Sequence, residues 1–246
     1  MDPLTGKVAL VTGGSRGIGA GIARRLARDG ADVAVTYVQA KERAQEVTDA
    51  VTAEGRRGLA ILADSAEPHA VVGAVERTVA ELGRLDILVN NAGIAVFGPI
   101  DELTLDDADR TYAVHVRAAV AATQAAVPHM SEGGRVISIG SCLAMRTAGP
   151  GWSLYSMSKA ALVGLTKGLA HDLGPRGITA NIVHPGPIDT DMNPADGQAA
   201  DDERAQLALD HFGHVDDIAA TVAHLAGPEG RFITGAALDV DGGWAA

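Results

Sequence analysis

Short apolar runs alternate along the whole chain with segments whose apolar residues recur at helical spacing. Residues 7–12 (KVALVT), 32–38 (DVAVTYV), 59–63, 85–89 (LDILV), 135–139, 179–183 and 236–240 read as seven short strands. Their near-continuous valine, isoleucine and leucine content fits strands buried on both faces. Between them lie helical patterns: one from the first glycines to about 29, then 40–54, 68–82, 106–130 opened by Thr104, 152–173 and 215–226. Strand and helix alternate with short connections, which calls for an α/β fold with a parallel sheet and helices on both faces. Neither a linker nor an internal repeat divides the pattern, so residues 1–246 are expected to form one domain. The polar stretch 188–212, rich in Asp, Asn, Pro and Gly, is the candidate flap.

Composition narrows the partners. The net charge of −11, without a basic run, argues against nucleic acid or an anionic membrane surface. An anionic ligand would have to be held by local positive groups. Aromatic residues make up only 3% and there are 30 glycines, a composition suited to helices packed closely on a sheet. Cys142 is the only cysteine, so no intrachain disulfide forms. The first residues, MDPL, carry no basic and apolar leader pattern, and no apolar run approaches the ~20 residues of a membrane span. A cytoplasmic protein is the expectation. The eight histidines are scattered without metal-ligand spacing, and no metal site is expected.

The chemistry-bearing clusters follow strands one, four, five and six: Gly13–Gly19, 90–93 (NNAG), 138–141 and 184–190. In open α/β sheets ligands bind outside the carboxyl ends of the strands, and packing alone explains such clustering poorly. Gly13, Gly17 and Gly19 lie between a strand and a helix. Glycines there allow a tight turn and let backbone N–H groups meet a pyrophosphate at a helix N-terminus. A plain turn is the alternative. Tyr155 and Lys159 are spaced i, i+4 and share one helical face. An ammonium beside the phenol would lower its pKa from about 10 towards neutrality, making Tyr155 a general acid or base. A surface tyrosine beside a solvated lysine is the alternative.

Together TGGSRGIG, NNAG, a serine about a dozen residues before YSMSK, PGPIDT and a final DGG resemble the short-chain dehydrogenase/reductase family over nearly the whole chain. The likeness is greatest to bacterial β-ketoacyl-carrier-protein reductases and related polyketide and carbonyl reductases. It implies a single Rossmann-type doubly wound sheet, a nicotinamide cofactor, a Ser–Tyr–Lys catalytic group and a homotetramer, or a homodimer. Ser141 fits the family spacing better than Ser138 or Ser153, and its hydroxyl would hydrogen-bond a substrate carbonyl oxygen. Tyr155 would be the acid, and Lys159 would hold the nicotinamide ribose. Cys142 reads as a packing residue. His115 stands where the family carries an asparagine that anchors a relay water. A neutral imidazole can donate and accept, so it could hold that water, or it could be a satisfied core residue.

For the cofactor, the resemblance implies contacts from Gly13, Ser15, Arg16, Gly17, Ile18 and Gly19 in the first loop. It adds Tyr37 at the end of the second strand, Asp64 and Ser65 after the third, and Asn90, Ala92 and Gly93 after the fourth. Pro185, Gly186, Ile188 and Thr190 complete the nicotinamide side, with Tyr155 and Lys159. For Asp64 a turn or cap, for Asn90 a structural turn and for Thr190 a cap remain open. The second strand ends Thr36-Tyr37-Val38-Gln39, without the acid that holds an NAD ribose, and Arg16 resembles a phosphate-facing arginine. Lys41 and Arg43 could add charge. NADPH/NADP+ is therefore expected over NADH.

The expected function is reduction of a β-ketoacyl, polyketide-type or cyclic ketone to a secondary alcohol. The substrate would be small and could be carried by a carrier protein. The alternatives are an NAD-dependent alcohol dehydrogenase and a nicotinamide-binding sensor without turnover. Segments 93–100, 143–153 and 187–212 would build the substrate pocket, with Val96, Phe97, Met145, Trp152 and Met192 as an apolar lining.

Overall fold

A computed structural model describes residues 2–147 and 149–246. Position 1 and position 148, the latter inside one expected pocket segment, lie outside the described residues.

Seven strands form one parallel sheet. They are β1 (Val8–Val11), β2 (Asp32–Tyr37), β3 (Gly58–Leu62), β4 (Ile87–Asn90), β5 (Arg135–Ile139), β6 (Thr179–Pro185) and β7 (Ala237–Val240). Their order in the sheet is β3-β2-β1-β4-β5-β6-β7. All pairings are parallel, as in Val11↔Val89 between β1 and β4 and His184↔Asp239 between β6 and β7. The chain reverses its direction of winding between β1 and β4, which opens a crevice at that point.

The alternation of side chains along each strand divides the core in two. Ala9, Val11, Val33, Val35, Ile87 and Val89 face α1 (Gly17–Arg28), α2 (Lys41–Ala53) and α8 (Val215–Ala226). Val8, Leu10, Ala34, Leu88 and Val136 face α3 (Pro68–Leu82) and α5 (Ala118–Ala126) on the other side. Because the side-chain period is two, every interior strand is apolar at both parities, which is why the strands read as unbroken apolar runs. Gly21 lets α1 approach α8: a methyl there would sit 3.1 Å from Val215 Cβ.

The predicted helix over 106–130 is divided. α4 (Leu105–Tyr112) starts at a capping box in which Thr104 Oγ1 accepts from the Asp107 N–H and the Asp107 carboxylate accepts from the Thr104 N–H. A wide π turn, Ala113–Arg117, follows and carries His115; then comes α5, and a tight turn at Val127–His129 ends the segment at Pro128. α6 (Ser153–Leu173) carries Tyr155 and Lys159. β6 runs two residues beyond its predicted end, to Pro185, because β7 pairs with it up to Val240. The stretch 188–212 contains a short helix, α7 (Ala200–Arg204). It is tied down by Asn193 Nδ2 on Glu203, Arg204 on the Ala195 carbonyl, and Leu207 buried against Trp244 and Cys142. No described helix is long and apolar enough to cross a membrane.

Candidate active site

The exits of β1 and β4 are knotted together. Thr12 Oγ1 accepts from the backbone N–H groups of Asn91 and Ala92 at 3.0 and 3.1 Å. Asn91 Nδ2 donates back to the carbonyls of Thr12 and Gly13 at 2.8 and 3.1 Å. The Gly13 N–H is taken by Thr36 Oγ1 at 2.8 Å. Gly13 has φ +63°, and a Cβ there would meet Ala92 Cα at 2.9 Å, so no other residue fits. Of these knot residues, Thr12, Asn91 and Thr36 were not among the expected site residues. Asn91 sits in a motif read for its neighbours, and Thr36 in a strand read for its apolar run.

Past this knot the glycine loop enters α1 with no side-chain cap and no acidic residue in the first turn. Its first N–H groups therefore lack a side-chain acceptor, and the positive end of the helix is not offset. Arg16, exposed in extended conformation, occupies the cap position. Gly17 (φ +52°) turns the loop towards Thr190 across the crevice, whose Cγ2 lies 3.5 Å from a built Cβ. The place is chemically suited to a pyrophosphate. Ser15 and Ile18 flank it, half-buried, and Gly19 is buried against Asn91.

The other expected cofactor residues line the same edge. Tyr37 closes β2 with no acid beside it. Asp64 Oδ1 accepts from the Ala66 N–H at 2.9 Å, a turn role, with Ser65 buried next to it. Asn90 ends β4, buried, and its Nδ2 has no hydrogen-bond partner among the described residues. Pro185 is buried, and Gly186 passes so close to the Asp241 backbone that a Cβ would clash at 2.6 Å. Ile188 bridges to Gly213, and Thr190 Oγ1 accepts from the Asn193 N–H at 3.2 Å. Arg43 pairs with Asp191 of the 188–212 stretch, which holds its guanidinium charge more firmly and lowers the Asp191 carboxyl.

Ser141, Tyr155, Lys159 and His115 come together beyond β5. Ser141 sits in the turn after the strand, its Oγ accepting from the Leu143 N–H at 3.2 Å. Ser138 is buried inside β5 and Ser153 is exposed. Burial raises the Tyr155 phenol to about 12, against a Ser141 hydrogen bond that lowers it. This corrects the expectation of a lowered phenol. Lys159 Nζ lies 5.7 Å from the ring centroid and donates instead to the Ile139 carbonyl at 3.0 Å. Desolvation likewise brings Lys159 down to about 8. Cys142, pushed up to about 12 by burial, is a packed thiol.

His115 is neutral. Burial, and then the Lys159 charge, bring it down to about 3. The Ile94 N–H donates to its Nε2 at 2.9 Å, so the ring proton is on Nδ1 and points to Ser158 Oγ at 2.7 Å. Ser158 in turn donates to the Tyr155 carbonyl at 2.7 Å. Both ring nitrogens are thus taken by protein, and the imidazole has neither left to hold a water. Its geometry ties the loop after Gly93 to α6. Beside it lies an internal cavity of about 10 Å³, room for one water, lined by Thr12, Asn90, His115 and Ile139 among others. Ser158 is a residue that sequence reasoning missed, since its hydroxyl matters only once the π turn brings His115 opposite. Among the described residues no cluster could hold a metal ion.

A family model described as enoyl-(acyl carrier protein) reductase matches residues 13–245. A relative from Escherichia coli, described as a cyclic-di-GMP-binding biofilm dispersal mediator protein, is 45% identical over 246 residues, covering 100% of both chains. A hydroxynaphthalene reductase of Aspergillus fumigatus is 39% identical, covering 95% of this chain and 90% of its own. Among solved structures, a blue fluorescent protein from a metagenomic library in complex with NADPH superposes with a TM-score of 0.98. It is 60% identical over 99% of this chain and 100% of its own. A short-chain dehydrogenase from Burkholderia cenocepacia in complex with NADP gives 0.98 at 61% identity, with the same coverage.

The buried lysine generates a stability prediction. An unfolded lysine keeps its proton to about pH 10.5, whereas Lys159 loses it near 8. Between those values the unfolded chain binds more protons, so stability rises with pH; below about 8 the full penalty, about 3 kcal/mol, applies. Lys159→Met should therefore stabilise the ligand-free protein at pH 7 by about 2 kcal/mol, after the loss of the bond to Ile139. Denaturant unfolding at pH 7 and 10 checks this, and the gain should shrink at pH 10.

Proposed function

The chain belongs to the short-chain dehydrogenase/reductase family, and on that premise we propose that it is an NADPH-dependent reductase that turns a ketone into a secondary alcohol. The observation that carries this reading is the convergence of Ser141, Tyr155 and Lys159 at the crevice mouth, across from the uncapped start of α1. A bound reduced nicotinamide supplies the hydride. Ser141 and Tyr155 hydrogen-bond the carbonyl oxygen, and Tyr155 delivers the proton there. A phenol raised to about 12 is fully protonated at neutral pH, the form an acid needs. Lys159 steers the phenol and holds the nicotinamide ribose. The cavity beside Asn90, His115 and Ile139 suits a water on the path that resupplies the proton.

The absence of an acid at Tyr37 and the exposure of Arg16 support NADPH over NADH, and two close structural neighbours carry NADPH or NADP. In this reading Gly13, Ser15, Gly17, Ile18 and Gly19 hold the pyrophosphate, and Asp64, Ser65, Asn90, Ala92 and Gly93 line the adenosine and ribose side. Pro185, Gly186, Ile188 and Thr190 hold the carboxamide side. Phe97 meets Trp152 at a tilt, 4.9 Å between ring centroids, Trp152 meets Tyr155 at 5.7 Å, and Met145 and Met192 are exposed. An apolar cyclic or polyketide-type ketone suits this surface, and the hydroxynaphthalene reductase similarity agrees with it. A single 1–246 domain, cytoplasmic and assembled as a homotetramer or homodimer, completes the reading; exposed Leu105, Tyr112 and Phe232 are surface that subunit contact would cover.

One observation favours a second reading, a nucleotide-binding sensor without turnover: the full-length similarity to the E. coli cyclic-di-GMP-binding protein. A panel of β-ketoacyl thioesters, cyclic ketones and diketones separates the two. NADPH consumption supports the reductase, and tight binding without consumption supports the sensor. In the reductase, Tyr155→Phe should lower kcat at least a thousandfold with NADPH affinity within about threefold, measured by turnover and fluorescence titration. Arg16→Ala should weaken NADPH about tenfold and leave NADH unchanged, the loss of one charge-assisted phosphate contact of about 1.4 kcal/mol.

A further inference from the structure

His184 lies in β6, directly before Pro185, and is completely buried. Its neighbour across the sheet is Gly140, the residue between β5 and Ser141. A methyl group on Gly140 would overlap the His184 ring, so ring and backbone are in direct contact there. Gly140 N–H donates to the Val183 carbonyl at 2.7 Å and ends the regular pairing of the two strands. The next N–H, that of Ser141, has no strand carbonyl to take it. It donates to His184 Nδ1 at 3.1 Å.

That bond fixes the tautomer. Nδ1 accepts, so the proton is on Nε2, and Nε2 finds no acceptor among the described residues. Leucine would fill the same volume without an unpaired N–H. What the histidine adds is the acceptor at Nδ1. Three bonds then hold the serine turn: the Val183 carbonyl accepts from the Gly140 N–H, His184 Nδ1 accepts from the Ser141 N–H, and the Ser141 hydroxyl accepts from the Leu143 N–H. Burial keeps the ring neutral, as acceptance requires.

We propose that His184 is a positioning residue for the reduction, holding the Ser141 backbone so that its hydroxyl points at the carbonyl oxygen beside Tyr155. This rests on the reductase reading above. His184 touches neither substrate nor cofactor in this role; it acts through Ser141. Small misplacement of a group that must meet a transition state lowers rate more than binding.

His184→Leu keeps the volume and removes the acceptor. His184→Asn keeps an acceptor oxygen close to the Nδ1 position. With a ketone turned over by the native chain, H184L should lower kcat ten- to a hundredfold, with KM and NADPH affinity within about threefold. H184N should recover kcat to within about threefold of native. Native kcat in H184L, or an H184N as slow as H184L, would overturn the proposal. Where a variant fails to fold, or the native chain turns over no ketone, 15N NMR of the histidine-labelled native protein decides. The Nε2–H tautomer with a hydrogen-bonded Nδ1 supports the assignment, and an Nδ1–H tautomer overturns it. Because that measurement needs no turnover, it separates failure of this proposal from failure of the reductase reading.

Discussion

The site depends on one knot of hydrogen bonds, between Thr12 at the end of β1 and Asn91 just beyond β4. These adjacent strands send their chains to opposite faces of the sheet, which is what opens the crevice. An open crevice exposes strand-end N–H and C=O groups that no neighbouring strand can take. Thr12 and Asn91 satisfy them in both directions and fix the spacing between the glycine loop and residues 92–94. Gly13 and Gly19 follow from that spacing, because the chains pass too close for a side chain at either position. The glycine loop and the His115–Ile94 contact hang from opposite sides of the same junction.

Desolvation sets the electrostatics of the catalytic edge. The chain carries −11 overall, yet among the described residues no carboxylate offsets the desolvation of the Lys159 ammonium. Lys159 falls, Tyr155 rises and His115 is kept neutral, all for the same reason. The ligand-free site therefore holds its proton on the phenol. Lys159 remains poised at about 8, where a nearby anion would shift it back towards the charged form. The chain is acidic overall, yet the start of α1 is uncapped, has no acid in its first turn and carries the exposed Arg16.

Much of this was legible in the sequence because the sheet is buried on both faces. Apolar runs such as KVALVT and LDILV mark β1 and β4, and Thr104 marks the start of α4. The gathering of 13–19, 90–93, 138–141 and 184–190 at one edge followed from alternation alone. Three features were not legible. The π turn at Ala113–Arg117 has no signature in an alanine-rich helical pattern. The direction of the Tyr155 shift needed the burial of the phenol, which spacing i, i+4 does not give. The two histidines needed their partners: Ser158 and Ile94 for His115, and the backbone of Ser141 for His184. A backbone N–H is the same at every position of a sequence, so such an assignment exists only in three dimensions.

Transfer of label from NADPH deuterated at C4 of the nicotinamide decides whether this site reduces ketones. The protein is incubated with that cofactor and a panel of ketones, and the alcohols are read by mass spectrometry and NMR. The account predicts one deuterium on the carbinol carbon, from one face of the nicotinamide only, and none with Tyr155→Phe. Binding of the labelled cofactor with no deuterated alcohol from any ketone would contradict it and leave a nucleotide-binding protein without turnover.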